Sequence, residues 1–251
     1  QSLGVASSER HRLEFTPAEK EQKERAKELY RHARYKEALS IGLGMMKANP
    51  NLINDYSMTG LLMYCYHKLS DTENALKYAR LSLKMSPPAC THLEGKVHIA
   101  TECAYKLGLY EEAMEMTRKY PEFKTGWRTS CLAVRAAYKI GSYKEALEAA
   151  QFYISINTIG DFGDLYVLEI AIYSAVKTKQ YEMAFRICKM YLKQKRTLFV
   201  LQMATALAGK FGNSEAARGY KTEAENLERQ IDSGKMGVGE EMVDDEEEID
   251  M

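Results

Sequence analysis

Proline is scarce in this chain, tryptophan occurs once, and no apolar run approaches the ~18 residues that a membrane-spanning helix needs. The five prolines (Pro17, Pro50, Pro87, Pro88 and Pro121) fall outside helical patterns or in a first turn, so long helices are permitted. Cysteine pairing is also missing. Cys65, Cys90, Cys103, Cys131 and Cys188 are odd in number, scattered, and never form a C-x-x-C, which points to reduced thiols in a cytoplasmic or nuclear protein. Catalytic signals are absent as well. His11, His32, His67, His92 and His98 show no metal-ligand spacing, and no Gly-x-Ser-x-Gly occurs. The glycines of 234–239 lack the strand–turn–helix setting of a phosphate loop. These absences predict a non-enzymatic protein with no cofactor and no metal.

Net charge is zero, but unevenly distributed. Residues 240–251 hold eight acids and no Lys or Arg, which leaves 35 bases against 27 acids, net +8, on residues 1–239. The first four residues carry neither a Met nor a charged-then-apolar signal pattern, so the chain reads as a piece of a longer one.

What is present is a phrase that repeats. Lys139-Ile140-Gly141-Ser142-Tyr143-Lys144-Glu145-Ala146-Leu147 returns at Leu107–Met114, Ala33–Leu39 and Lys179–Phe185, with weaker copies at Ser70–Leu76 and Gly212–Ala217. Aligned on Ala38, Ala75, Ala113, Ala146, Ala184 and Ala217, the copies are spaced by 37, 38, 33, 38 and 33 residues. A period in the thirties marks an array of helix pairs. Within each pair, a small alanine lets two helix backbones approach without the helix penalty of glycine. The tyrosine three residues earlier starts the second helix.

Helix signals divide residues 16–231 into six pairs, preceded by a polar lead-in (1–15) with no period. Thr16-Pro17-Ala18-Glu19 is a capping box with proline at the first helical position. The second pair is expected to start at Leu52, after the stop at Asn49-Pro50-Asn51. Residues 232–251 form a glycine-containing linker and an acidic tail too poor in apolar surface to fold. Two readings of that tail stand: a solubilising terminus, or an acidic–hydrophobic motif that binds a partner or the basic groove of its own chain.

The array resembles the tetratricopeptide repeat (TPR) family, whose unit carries Gly-x-Tyr-x-x-Ala at its turn and a terminal proline. Tyr35, Tyr110, Tyr143 and Tyr181 match the family's aromatic, the six alanines its repeat-packing alanine, and Pro50 and Pro87 its proline. The family's glycine, twelve residues before the alanine, is replaced by Ala26, Met63, Thr101, Val134, Ile172 and Thr205. The resemblance implies an all-α, right-handed superhelical solenoid of about six antiparallel helix pairs, whose first helices line a concave groove.

Counting back 18, 15, 11 and 8 residues from each alanine selects the groove positions that the resemblance implies. They are Lys20, Lys23, Lys27 and Tyr30; Ser57, Gly60, Tyr64 and His67; Gly95, His98, Glu102 and Tyr105; Arg128, Cys131, Arg135 and Tyr138; and Tyr166, Glu169, Tyr173 and Val176. Aromatics and cations on one surface suit an acidic or helical peptide of a protein partner. The two-repeat carboxylate clamp of some relatives is absent, since Lys27, Leu61, Gly95 and Ile99 stand where its later members belong. Trp127 follows Phe123 by four residues and is expected to pack between repeats. The expected function is therefore a protein-interaction scaffold or adaptor, a subunit of a larger complex. An RNA-associated repeat protein is the alternative, against which the acidic tail argues.

Overall fold

The computed structural model describes residues 15–87, 90, 92–121, 127–156 and 163–234. Most of the lead-in, the acidic run, and the Phe123–Trp127 contact lie outside the described residues. The chain divides into two compact units, with the boundary between Phe123 and Lys124. Among the described residues all regular structure is helical.

Unit 1 contains α1 (Pro17–Arg31), α2 (Tyr35–Ala48), α3 (Tyr56–Lys68), α4 (Thr72–Met85), α5 (Leu93–Lys106) and α6 (Tyr110–Lys119). Unit 2 contains α7 (Trp127–Lys139), α8 (Tyr143–Ile156), α9 (Leu165–Lys177), α10 (Tyr181–Tyr191), α11 (Leu198–Lys210) and α12 (Ser214–Asp232). Within each unit every helix packs against the next, as in TPR-like helix pairs.

Local chemistry explains the boundaries. Thr16 Oγ1 accepts from the Glu19 N–H at 3.2 Å, and the Glu19 carboxylate accepts from the Thr16 N–H at 2.8 Å, completing the capping box. The helix expected from Leu52 begins instead at Tyr56. Pro50–Asn54 forms a 3₁₀ turn that drives Leu52 into the core beside Met45 and Met58, and Asp55 caps α3 by accepting from the Met58 N–H at 2.6 Å.

The repeated phrase encodes one turn. Five residues before each repeat alanine the backbone is left-handed, at Ala33 (φ 57°), Ser70 (61°), Gly108 (74°), Gly141 (71°), Lys179 (60°) and Gly212 (71°). The next residue donates its N–H back to the last helical turn, as in Arg34 to the Leu29 carbonyl (2.9 Å), Ser142 to Ala137 (2.8 Å) and Gln180 to Ala175 (2.7 Å). This is the Schellman closure, which satisfies carbonyls at the end of a helix. Glycine meets the positive φ without strain at three turns; Ala33, Ser70 and Lys179 adopt it against their preference.

The alanines then fix the packing distance. Ala38, Ala75, Ala113, Ala146 and Ala184 are fully buried. Ala217 is only half-buried, because α12 is the last described helix; its one buried side chain is Ala224. The turn tyrosines pair with tyrosines of the preceding helix in tilted contacts, with Tyr30–Tyr35 and Tyr105–Tyr110 at 5.3 Å and Tyr138–Tyr143 at 6.1 Å.

Candidate functional site

Five groove positions of unit 1, Lys27, Tyr30, Ser57, Gly60 and Tyr64, line an open pocket of about 660 Å³. It is lined by Lys27, Tyr30 and Arg31 of α1, Tyr56, Ser57, Gly60, Leu61 and Tyr64 of α3, Lys96 of α5, and Pro87, Cys90 and His92 of the segment before α5. Two glycines let side chains of this pocket pack close to a helix. A Cβ at Gly60 would stand 3.2 Å from Lys96 Cε and 3.4 Å from its Nζ, and one at Gly95 would stand 2.7 Å from the Tyr64 hydroxyl oxygen. Glycine inside a helix costs about 0.5–1 kcal/mol relative to alanine, a cost α3 and α5 bear where Lys96 and Tyr64 lie against them.

Lys96 is the residue that counting positions missed. It is 3% exposed, although it sits one place beyond groove position Gly95. Its Nζ donates to the Tyr56 carbonyl at 3.1 Å and to Ser86 Oγ at 2.9 Å, and lies 4.8 Å from the Tyr56 ring centroid. Among the described residues no carboxylate pairs with it. Burial pulls its pKa below the usual lysine range, against the smaller opposing influence of Cys90 and Asp55. A signal existed in the sequence: Leu93, Val97, Ala100 and Ala104 repeat at helical spacing, and Lys96 falls within that buried stripe.

The remaining unit 1 candidates fall into small clusters. Lys20 is exposed. Lys23 pairs with Asp55 at 3.0 Å and lies over the Phe15 ring at 4.2 Å, while Lys27 pairs with Glu24 at 2.6 Å. Tyr30 and Tyr64 stand 6.1 Å apart, and burial pushes the Tyr64 hydroxyl up to about 12. Next to the pocket, Glu102 gathers three bases. His67 Nε2 lies at 3.0 Å, His98 Nε2 at 3.7 Å, and Lys106 Nζ at 2.5 Å. The hydrogen bond from His67, then that from Lys106, draws the Glu102 carboxyl down to about 2. Tyr105 is half-buried against Tyr110.

In unit 2 the same register closes up, and here the expected groove needs correcting. Tyr138 is 8% exposed and Tyr173 4%; their rings meet edge-on at 5.6 Å, where α7 touches α9 directly. Both side chains, expected on the groove surface, are buried in the core of the unit. Cys131, Glu169 and Val176 are buried too, with Glu169 accepting from the Tyr191 hydroxyl at 2.5 Å. Arg135 pairs with Asp164 at 2.6 Å and lies 5.1 Å from the Tyr166 ring. Its charge is committed within the unit. Arg128 is exposed and Tyr166 half-buried.

Among the described residues no cluster of three His, Cys, Asp or Glu could hold a metal ion. Burial raises the Cys65 and Cys103 thiols to about 11 and those of Cys131 and Cys188 to about 12, far from a reactive thiolate. Among the described residues no helix is long and apolar enough to cross a membrane.

Comparison with known structures agrees with the architecture. MamA has a TM-score of 0.57 at 14% identity, over 73% of this chain and 97% of that one. YrrB, described as a TPR protein with an unusual peptide-binding site, has a TM-score of 0.58 at 11% identity, over 72% and 89%. MamA from Desulfovibrio magneticus RS-1 has a TM-score of 0.52 at 14% identity, over 70% and 97%. No protein-family model and no curated protein matches the sequence. The chain therefore has the TPR-like fold of these proteins, and the fold is what so low an identity carries.

Proposed function

We propose that the chain is a non-enzymatic scaffold or adaptor that binds a peptide segment of a protein partner on the first-helix face of unit 1. The observation that carries this reading is the 660 Å³ pocket between α1, α3 and α5, walled by Tyr30, Tyr56 and Tyr64, with Lys96 packed beside Gly60 and Tyr64 beside Gly95. Aromatic walls around a concavity are the setting in which peptide anchors bind. Five unpaired thiols, four of them buried, favour a reducing compartment such as the cytoplasm. The peptide site in the similar YrrB fold is consistent with this use of the scaffold.

The test is a comparative pull-down with the full chain and a Tyr30→Ala/Tyr64→Ala double variant of unchanged circular dichroism. Proteins retained by the first and lost from the second support the reading. An identical set on both baits removes the pocket from it, and recovery dominated by nuclease-sensitive RNA complexes replaces it with the RNA-associated alternative.

A further inference from the structure

The pocket of unit 1 holds a buried cation whose hydrogen-bond partners, the Tyr56 carbonyl and Ser86 Oγ, are both neutral. The Tyr56 carbonyl also accepts from Ser82 Oγ at 2.8 Å, and Ser86 Oγ, which accepts from Lys96, donates to the Ser82 carbonyl at 2.8 Å. Without the ammonium each oxygen would keep one of these neutral hydrogen bonds. A buried lysine with only neutral partners is a cost to folding, and it persists where two helical glycines let it and Tyr64 lie close to α3 and α5. The Tyr64 hydroxyl has no protein acceptor among the described residues and lines the same cavity.

Charge complementarity identifies the occupant. The described lining residues include Lys27, Arg31 and Lys96 and no Asp or Glu. Asp55 is engaged by Lys23 and the cap of α3, and Glu24 pairs with Lys27, which leaves Lys96 as the buried cation without a carboxylate partner among the described residues. The walls are aromatic or aliphatic, from Tyr30, Tyr56, Leu61, Tyr64 and Pro87. We propose that this pocket recognises an Asp or Glu side chain of the partner peptide, flanked by apolar residues, with Lys96 as the anchoring cation and the tyrosines holding the flanks. The proposal rests on the reading of unit 1 as a peptide-binding face and specifies what that face selects.

The experiment is selection from a phage-displayed random dodecapeptide library against the full chain and against Lys96→Met, a substitution of similar length without the charge. Wild type should select peptides with one acidic position between apolar ones, and Lys96→Met should lose that acidic preference. A synthetic selected peptide should bind Lys96→Met at least about tenfold more weakly, as loss of a charged hydrogen bond implies, while its Glu→Gln or Asp→Asn analogue binds both proteins equally. The melting temperature of Lys96→Met should equal or exceed that of wild type.

Peptides without acidic preference, or equal affinity for both proteins, would overturn the role of Lys96 and leave the peptide-binding face standing. Failure to select any peptide would overturn that face as well. A lower melting temperature with unchanged affinity would make Lys96 a structural brace and end the proposal.

Discussion

Tyr64 in unit 1 and Tyr173 in unit 2 occupy the same place in the repeat, eleven residues before Ala75 and Ala184, yet one lines a pocket and the other is 4% exposed in a core. Their neighbours explain the difference. Eighteen and fifteen residues before the repeat alanine, unit 1 places Ser57 and Gly60 in α3 and Gly95 and His98 in α5, whereas unit 2 places Arg128 and Cys131 in α7 and Tyr166 and Glu169 in α9. Ser57, Gly60 and Gly95 are small, and Tyr64 borders a hollow beside them. Around Tyr173 the rings of Tyr138 and Tyr143, both at 5.6 Å, take up the space, and the tyrosine becomes part of the packing. The repeat sets the position of a side chain, and its neighbours set whether it borders a hollow or a core.

Truncating the two tyrosines should break this symmetry most visibly. Tyr173→Ala removes a buried ring and is expected to destabilise unit 2 by about 3–4 kcal/mol, whereas Tyr64→Ala should cost unit 1 about 1–2 kcal/mol. Hydrogen exchange of the full chain, read separately in α9 and α3, measures both. Equal losses would mean that the two faces are packed alike.

Neutralising the cations probes the same contrast. Arg135→Met strands the Asp164 carboxylate, which is 18% exposed, and should destabilise unit 2 by about 2 kcal/mol. In unit 1, Lys96→Met should be neutral or mildly stabilising. Thermal denaturation orders the two, and the reverse order would make Lys96 the structural ion and Arg135 the spare one.

A smaller effect concerns acid. The folded-state pKa of Glu102 is depressed to about 2, so its contribution is present above the usual carboxylate range and is lost as pH falls toward 2. Glu102→Gln should cost unit 1 about 1–2 kcal/mol at pH 7 and flatten its loss of stability below about pH 4.5. Exchange protection in α5 followed against pH is the readout, and an unchanged acid limb in Glu102→Gln would contradict the triple contact.

The smallest effects belong to the turns. Lys179→Gly and Ala33→Gly relieve left-handed strain and should each stabilise by about 0.5–1 kcal/mol, visible as a modest rise in melting temperature. The same change at Lys36, inside α2, should destabilise.

The architecture was legible because its determinants are local. A tyrosine, an alanine and a turn residue recur at fixed offsets, and each acts within one helix pair. Thr16 through Glu19 declared their capping box for the same reason. Leu52 misled because an apolar residue after a proline reads as a helix start, while in the fold it plugs the core from a 3₁₀ turn. The site was legible only in part. Counting back from the alanine located Tyr30, Gly60 and Tyr64 but could not distinguish an open position from a filled one, and so it counted Tyr138 and Tyr173 as surface. Lys96 escaped because its meaning comes from contacts with Tyr56 and Ser86, forty and ten residues away, that no spacing rule encodes.

The most direct test of the central claim is hydrogen exchange of the full chain with and without the tightest-binding peptide from the dodecapeptide selection. Binding on unit 1 predicts slowed exchange in α1, α3 and α5 with α7 and α9 unchanged. Slowing confined to α7 and α9 would contradict it and return the partner surface to the unit whose groove positions are filled.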